Sequence, residues 1–304
     1  MRIFLTGATG YIGSAVLDAF VRAGHQVTAL VRDPARAELL SSRGTVCVVG
    51  ELANSSTFAA AARTSDALVH TAFEGSKRGP AVDRQAIDAL LEAAQWRRTR
   101  GNPTAIVYTS GVWVLGSTQG EADEDAPVRP TPLVAWRPDH ERLVLDAADE
   151  DIRTAVIRPA VVYGGARGIV ADLLKDALNG LVRVVGDGQN RWSCVYDRDL
   201  ADLYVRVATN PEGSGIFHAS DDADERVDDI VAAIGRQTKT PPDVRHMPIE
   251  EARAKLGPYA DALALDQVVR SPRARALGWA PTLHSVSGNV ARLLEEFRRA
   301  REAA

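Results

Sequence analysis

The chain has 304 residues, 25% of them charged, and a formal net charge of −4 at pH 7. That length suits one large α/β domain or a domain with a smaller lobe, and the acidic balance excludes a general attraction to nucleic acid. No apolar stretch approaches the ~20 residues of a membrane span, and Cys47 and Cys194 offer neither a disulfide framework nor metal-ligand spacing, so a cytoplasmic protein without membrane or nucleic-acid partners is expected.

The chain opens on a short apolar run, Ile3-Phe4-Leu5, which breaks into Gly7, Gly10 and Gly13. Ile12, Ala15, Val16, Ala19, Phe20 and Ala23 then recur at helical spacing. Strand, glycine turn and helix in that order build a phosphate cradle. Glycine lets the backbone turn sharply and lets a pyrophosphate approach, while the helix start offers unpaired N–H groups and a positive dipole end. The first thirteen residues therefore predict a nucleotide site.

Further apolar runs follow at Val27–Val31, Val46–Val49, Ala67–Val69, Ala105–Tyr108 and Thr154–Ile157. Helix-period segments lie near 12–23, 57–63, 82–96 and 133–149. Continuous apolar strands alternating with helices predict a parallel sheet covered on both faces, and the first two units match a doubly wound Rossmann fold. After Arg158-Pro159 the regularity loosens. Residues 164–194 are glycine-rich and end in the turn-dense Gly186–Trp192. Ile216-Phe-His218 is a further strand candidate before the acidic Asp221–Glu225, and helical patterns follow at 226–236, 249–256 and 286–300. The expected organisation is a dinucleotide-binding domain of 1–163 and 195–218, with a smaller, mostly helical C-terminal substrate lobe of 164–194 and 219–304. The basic clusters Trp96–Arg100 and Phe297–Arg301 read as solvated helix ends.

Several segments resemble the short-chain dehydrogenase/reductase superfamily in its extended or atypical, epimerase/dehydratase-like branch. They are Thr6-Gly-Ala-Thr-Gly-Tyr-Ile-Gly13, Val69-His-Thr-Ala72, Tyr108-Thr-Ser-Gly111, Ile157-Arg-Pro-Ala-Val-Val-Tyr-Gly164, Val195-Tyr-Asp-Arg-Asp-Leu-Ala201 and Ala276-Leu-Gly-Trp-Ala-Pro281. Their order covers nearly the whole chain. The resemblance implies a nicotinamide cofactor over the strand ends, held by Gly7, Thr9, Gly10, Tyr11, Ile12 and Gly13. It also implies Glu51 and Leu52 beside the adenine, and Thr71, Ala72, Phe73, His140 and Pro159 along the rest of the cofactor. A homodimer through the 82–96 and 133–149 helices is a further implication.

Cofactor preference can be argued from charge. NAD-binding versions place a carboxylate on the ribose hydroxyls near the end of the second strand, whereas arginine there suits a 2′-phosphate. This chain reads Ala29-Leu-Val-Arg-Asp-Pro34, with Val31 at the usual acidic position, then Arg32, and Arg36 a helical turn on. A guanidinium fork matches phosphate geometry, so NADP(H) is expected. NAD(H) stays open, because Asp33 can also reach ribose hydroxyls.

The catalytic region departs from the family pattern of a tyrosine acid, a lysine four residues later and a carbonyl-polarising serine. Aligning Ala135-Trp-Arg-Pro-Asp-His-Glu141 puts Trp136 at the tyrosine and His140 at the lysine position. Gly111 falls at the serine, and Ser110 stands one residue early. An indole N–H donates but does not titrate, whereas a histidine titrates near neutrality. His140 and Tyr163 are thus the candidate acids, although Trp136, His140, Leu143, Val144 and Ala147 also share one helical stripe that packing alone would explain. Pro138 can start the helix later and release Trp136 from that stripe.

The remaining histidines lack carboxylate or cysteine partners at ligand spacing, so no metal is expected. Trp113, Trp136, Tyr163, Trp192 and Phe73 lie on segments bordering the family's substrate cleft, favouring a flat or apolar small molecule. Arg137, Arg167 and Arg191 are candidates to hold an anionic group. The leading expectation is an NADP(H)-dependent oxidoreductase reducing C=O, C=N or activated C=C. A nucleotide-sugar epimerase or dehydratase and a non-catalytic NADP(H) sensor remain open.

Overall fold

The computed structural model describes residues 1–302. The first five strands are β1 (Arg2–Thr6), β2 (Gln26–Val31), β3 (Val46–Val49), β4 (Ala67–His70) and β5 (Thr104–Thr109). After the short β6 (Glu121–Ala122) comes β7 (Ile152–Pro159). Then follow β8 (Val161–Tyr163), β9 (Leu181–Val185), β10 (Arg191–Trp192), β11 (Cys194–Tyr196) and β12 (Gly215–Ala219). Seven of these form a central parallel sheet in the order β3-β2-β1-β4-β5-β7-β12, and β8 to β11 stand outside it. All seven apolar runs predicted as sheet strands are found there. The α/β, doubly wound expectation is borne out.

Alternation along the strands explains the two covered faces. Ile3, Leu5, Val69, Val107 and Ile157 point to one core, which α1 (Tyr11–Arg22) covers with Val16 and Phe20. Phe4, Leu68, Ile106 and Val156 point to the other. Burying a side chain as large as Phe4 contributes about 2 kcal/mol. Three helices follow α1 in the chain: α2 (Pro34–Ser42), α3 (Ala59–Arg63) and α4 (Gly79–Arg98), and α4 seals the second face with Ile87, Leu90 and Ala94.

The helix expected over 133–149 is shorter. Pro132–Val134 form a 3₁₀ turn, and α5 runs Arg137–Leu145 with Pro138 in its first turn, where its missing N–H costs nothing. Two helices come next, α6 (Ile169–Leu178) and α7 (Asp197–Thr209). Leu203, Tyr204 and Val207 of α7 join α1 on the first face.

A further core gathers Tyr163, Val170, Leu174, Trp192, Tyr196, Ile230 and Phe297 beside the sheet. β8 pairs with β11 in parallel, carrying the chain from the sheet edge into this second core. Among the described residues no helix is long and apolar enough to cross a membrane.

Candidate functional site

The sheet order reverses between β1 and β4, and open α/β sheets hold ligands at such a switch point. There the chain turns through Gly7, which takes φ +80°, and the Gly10 N–H closes onto the Gly7 carbonyl at 2.7 Å. A Cβ on Gly7 would stand 2.7 Å from the Ala72 nitrogen. On Gly13 it would collide with the Gly7 carbonyl and the Thr71 hydroxyl. Bare backbone thus presses the start of α1 against the strand ends, and no side chain caps that start. Its first-turn N–H groups are left for an anion. The residues present fit a dinucleotide phosphate.

A cleft of about 390 Å³ opens over this turn. Gly7, Thr9, Gly10, Tyr11 and Ile12 line it, as do Arg32, Glu51, Leu52, Thr71, Ala72 and Phe73. Gly13 sits behind the loop. Asp33 lines no part of the cleft, and one oxygen of its carboxylate accepts the Ala35 N–H at 2.9 Å and caps α2. Val31 is buried, and Arg36, exposed on α2, lines no part of the cleft. A second guanidinium does line it. Arg78, at the start of α4, donates to Glu74 at 2.7 Å. Sequence reasoning misses Arg78 because only the path of the chain after β4 brings it to the cleft that Arg32 lines.

Tyr11, Ile12 and Phe73 are shared with a second cavity of about 400 Å³. Ser110, Gly111, Trp113, Trp136, Arg137 and Pro159 are among its walls. Most of the lining is apolar. Trp136 precedes α5 and stacks on Phe73, with centroids 5.4 Å apart and planes within 8°. The Arg137 guanidinium lies over both rings, at 4.5 Å from Trp136 and 5.4 Å from Phe73. Ser110 Oγ is buried without a hydrogen-bond partner among the described residues. Such an orphan costs about 1–3 kcal/mol.

Behind these walls lies a polar cluster around Asp83. Its carboxylate accepts from His140 Nδ1 at 2.7 Å, Tyr108 Oη at 2.8 Å and His70 Nε2 at 3.2 Å. Burial pushes Asp83 up, but the hydrogen bonds from His140 and His70 outweigh it and hold the carboxyl well below the usual range. His70 Nδ1 in turn meets the Thr6 hydroxyl at 2.6 Å. Arg137 Nη1 donates to the Thr109 carbonyl at 3.0 Å and reaches Tyr108 Oη at 3.4 Å. Asp83 is absent from the sequence-based candidates. The available signal was a carboxylate on the apolar stripe of the 82–96 helix, beside Val82, Ala86, Ile87 and Leu90.

The other candidates stand apart from the two cavities. His140 packs its edge on Trp136 at 4.8 Å but lines neither cavity. Tyr163 is fully buried and donates to Asp221 at 3.0 Å, with burial and that carboxylate pushing the phenol far up. Trp192 donates its indole N–H to the Leu263 carbonyl at 3.0 Å and lines a separate cavity in the second core. Arg167 lies on the Thr9 carbonyl, and Arg191 is paired with Asp266.

A glycine turn at a sheet switch point, opening on an apolar cavity, defines a nucleotide-binding α/β protein. The chain belongs to the NAD dependent epimerase/dehydratase family, whose model matches residues 3–219. It is 30% identical over 299 residues to the uncharacterized protein C2A9.02 of Schizosaccharomyces pombe, covering 96% of this chain and 98% of that one. A 4-hydroxy-2-methyl-3-oxo-4-farnesyl-3,4-dihydroquinoline-1-oxide ketoreductase of Stigmatella aurantiaca is 26% identical over 263 residues, or 84% of this chain and 78% of that protein. The fold is shared with the UDP-glucose 4-epimerase of Thermus thermophilus in complex with NAD, at TM-score 0.80 and 21% identity over 99% of this chain and 100% of that one.

Proposed function

We propose that the chain is an NADP(H)-dependent reductase acting on the C=O, C=N or activated C=C bond of a small organic molecule. The carrying observation is Ser110, a residue in the wall of the apolar cavity that adjoins the cofactor cleft, whose buried hydroxyl has no hydrogen-bond partner among the described residues and would turn to a bound substrate. When bound, the dinucleotide supplies a hydride. Gly7, Thr9, Gly10 and Ile12 would hold its phosphates, Arg32 and Arg78 a 2′-phosphate, and Glu51 and Leu52 the adenine end. The departure of Asp33 to cap α2 supports NADP(H) over NAD(H). The ketoreductase name of one relative supports the reaction class.

Ser110 donates a hydrogen bond to the substrate heteroatom, polarising the bond and holding the charge that develops on it. Trp136, Phe73 and Trp113 hold a flat substrate body and exclude bulk water. Trp136 stands where the family has a tyrosine and has no titrating proton. Neither His140 nor Tyr163 lines the cavity, which favours water as the final proton source. That arrangement suits a conjugated carbonyl, already activated, or an imine whose nitrogen accepts from Ser110, better than a simple ketone. His140, fixed by Asp83, positions Trp136 through their edge contact. Dimerisation through α4 and α5 belongs to the same reading.

The test is NADPH oxidation with aromatic ketones, cyclic imines and enones. Turnover of at least one class is expected, and Ser110→Ala should lower kcat about a hundredfold with little change in KM. Firm NADPH binding with no turnover on any class would replace the reductase with the sensor reading.

A further inference from the structure

The second cavity has one charged group in its lining, Arg137. Three other buried or half-buried guanidinium groups around the sheet are satisfied by protein. Arg158 is forked onto Glu141. Arg97 meets Asp66, the Thr104 hydroxyl and two carbonyls. Arg153 is held by three carbonyls. Arg137 has no carboxylate within ion-pair distance among the described residues, and only its Nη1 donates, to Thr109 and weakly to Tyr108. Asp83 lies one phenol further in, and it already accepts from three donors. Stacking over Trp136 and Phe73 recovers part of the cost of withdrawing a cation from water, but leaves Nε and Nη2 undirected. A guanidinium fork matches carboxylate and phosphate alike, and at an apolar wall the carboxylate is favoured, because two parallel N–H groups meet both of its oxygens whereas a phosphate would leave others bare.

We infer that the substrate is an organic acid, a flat apolar body whose carboxylate pairs with Arg137 while Ser110 takes the reacting heteroatom. This inference rests on the reductase reading for that second contact but not for the first. Two polar anchors in an otherwise apolar cavity fix the orientation of a flat molecule, which one anchor cannot do. Arg137 is half-buried, and an uncharged analogue seated over it would cover the fork without meeting it, so discrimination comes from that desolvation cost as much as from the new pair.

The experiment measures binding of 2-naphthoate and 2-naphthamide to the full chain saturated with NADP⁺, by tryptophan fluorescence and calorimetry. The acid should bind about tenfold or more tighter than the amide. Arg137→Gln should bring that ratio close to one, and Arg137→Lys, which keeps the charge but loses the fork, should restore it in part. Equal binding of acid and amide to the unaltered protein overturns the inference, whatever the variants do. So does a ratio that survives in Arg137→Gln. Because binding is read without turnover, the two readings separate. Preference for the acid with no turnover of any ketone, imine or enone keeps the Arg137 assignment and removes the reductase. Reduction of neutral carbonyls with no preference for the acid does the reverse.

Discussion

At the residue scale, two kinds of position carry the cofactor site. Gly13 is there because nothing larger fits: a Cβ would strike the Gly7 carbonyl, and the turn would have to open. Gly13→Ala is expected to weaken NADPH binding by at least about tenfold, read by fluorescence titration, while far-ultraviolet circular dichroism keeps the α/β signature. The charged positions discriminate instead of shaping. Arg32→Ala and Arg78→Ala should each weaken NADPH binding by about tenfold and leave NADH binding nearly unchanged, since only the phosphorylated ribose meets a guanidinium. Equal losses for both cofactors would remove the proposed 2′-phosphate role. Arg32 was legible from its place after the second strand. Arg78 was not, because no spacing rule links it to the glycine turn.

At the element scale, α5 decides what the second cavity contains. Pro138 delays the helix, so Trp136 stands just before it and its ring is free to stack on Phe73. One turn on, His140 faces inward to Asp83, and the neighbouring Glu141 locks the helix to β7. Glu141 and Arg158 are 3% and 2% exposed and meet through two contacts, of 2.6 and 3.0 Å. Removing one charge strands the other in the core, so Glu141→Gln should cost about 3–5 kcal/mol in denaturant unfolding. Double replacement by apolar residues of similar size should cost much less. The apolar stripe of 133–149 correctly marked a helix, and Pro138 offered a way to release Trp136 from it, but the stripe alone did not separate the tryptophan that faces the cavity from the histidine that faces α4. That separation depends on where the first hydrogen-bonded turn closes. The α7 helix, by contrast, is missing from the expected elements although Leu200, Leu203, Tyr204 and Val207 recur at helical spacing.

At the scale of the whole molecule, the sheet and the second core are joined through buried polar contacts. Tyr11 donates to the Gly164 carbonyl at 2.8 Å, the Asp199 carboxylate on α7 accepts from the Leu283 N–H of the second core at 3.1 Å, and Tyr163 donates to Asp221. Burial pushes Asp221 up to about 7 and Asp197 up to about 6. A carboxyl whose pKa is raised on folding favours the folded state below its unfolded value, near 4, and that advantage is lost as pH rises through the folded value. Burial lowers His218 to about 3, which works oppositely, adding stability as pH rises from there toward the ordinary histidine value near 6.5. Comparing variants cancels the histidine. Asp221→Asn should therefore gain thermal stability relative to the unaltered protein as pH is raised from about 5 to about 8. A difference in Tm that stays flat across that range would show that Asp221 is not held protonated by its surroundings.

Taken alone, the sequence determined the parallel sheet, the phosphate turn and the family, because each is written in local terms. Strand runs are continuously apolar when both faces are buried, a glycine is irreplaceable where backbone meets backbone, and a helix start follows at once. The contents of the cavity were decided only by tertiary structure. Among the described residues, Ser110 became significant through the absence of any partner, Arg137 through the lack of a counter-ion, and Asp83 through three donors brought from β4, β5 and α5. Those are facts about what surrounds a side chain in space, and residues distant in the chain supply the surroundings. The same reason explains Gly7, Gly10 and Gly13 as a readable motif and Arg78 as an unreadable one: the first is a turn, the second a meeting.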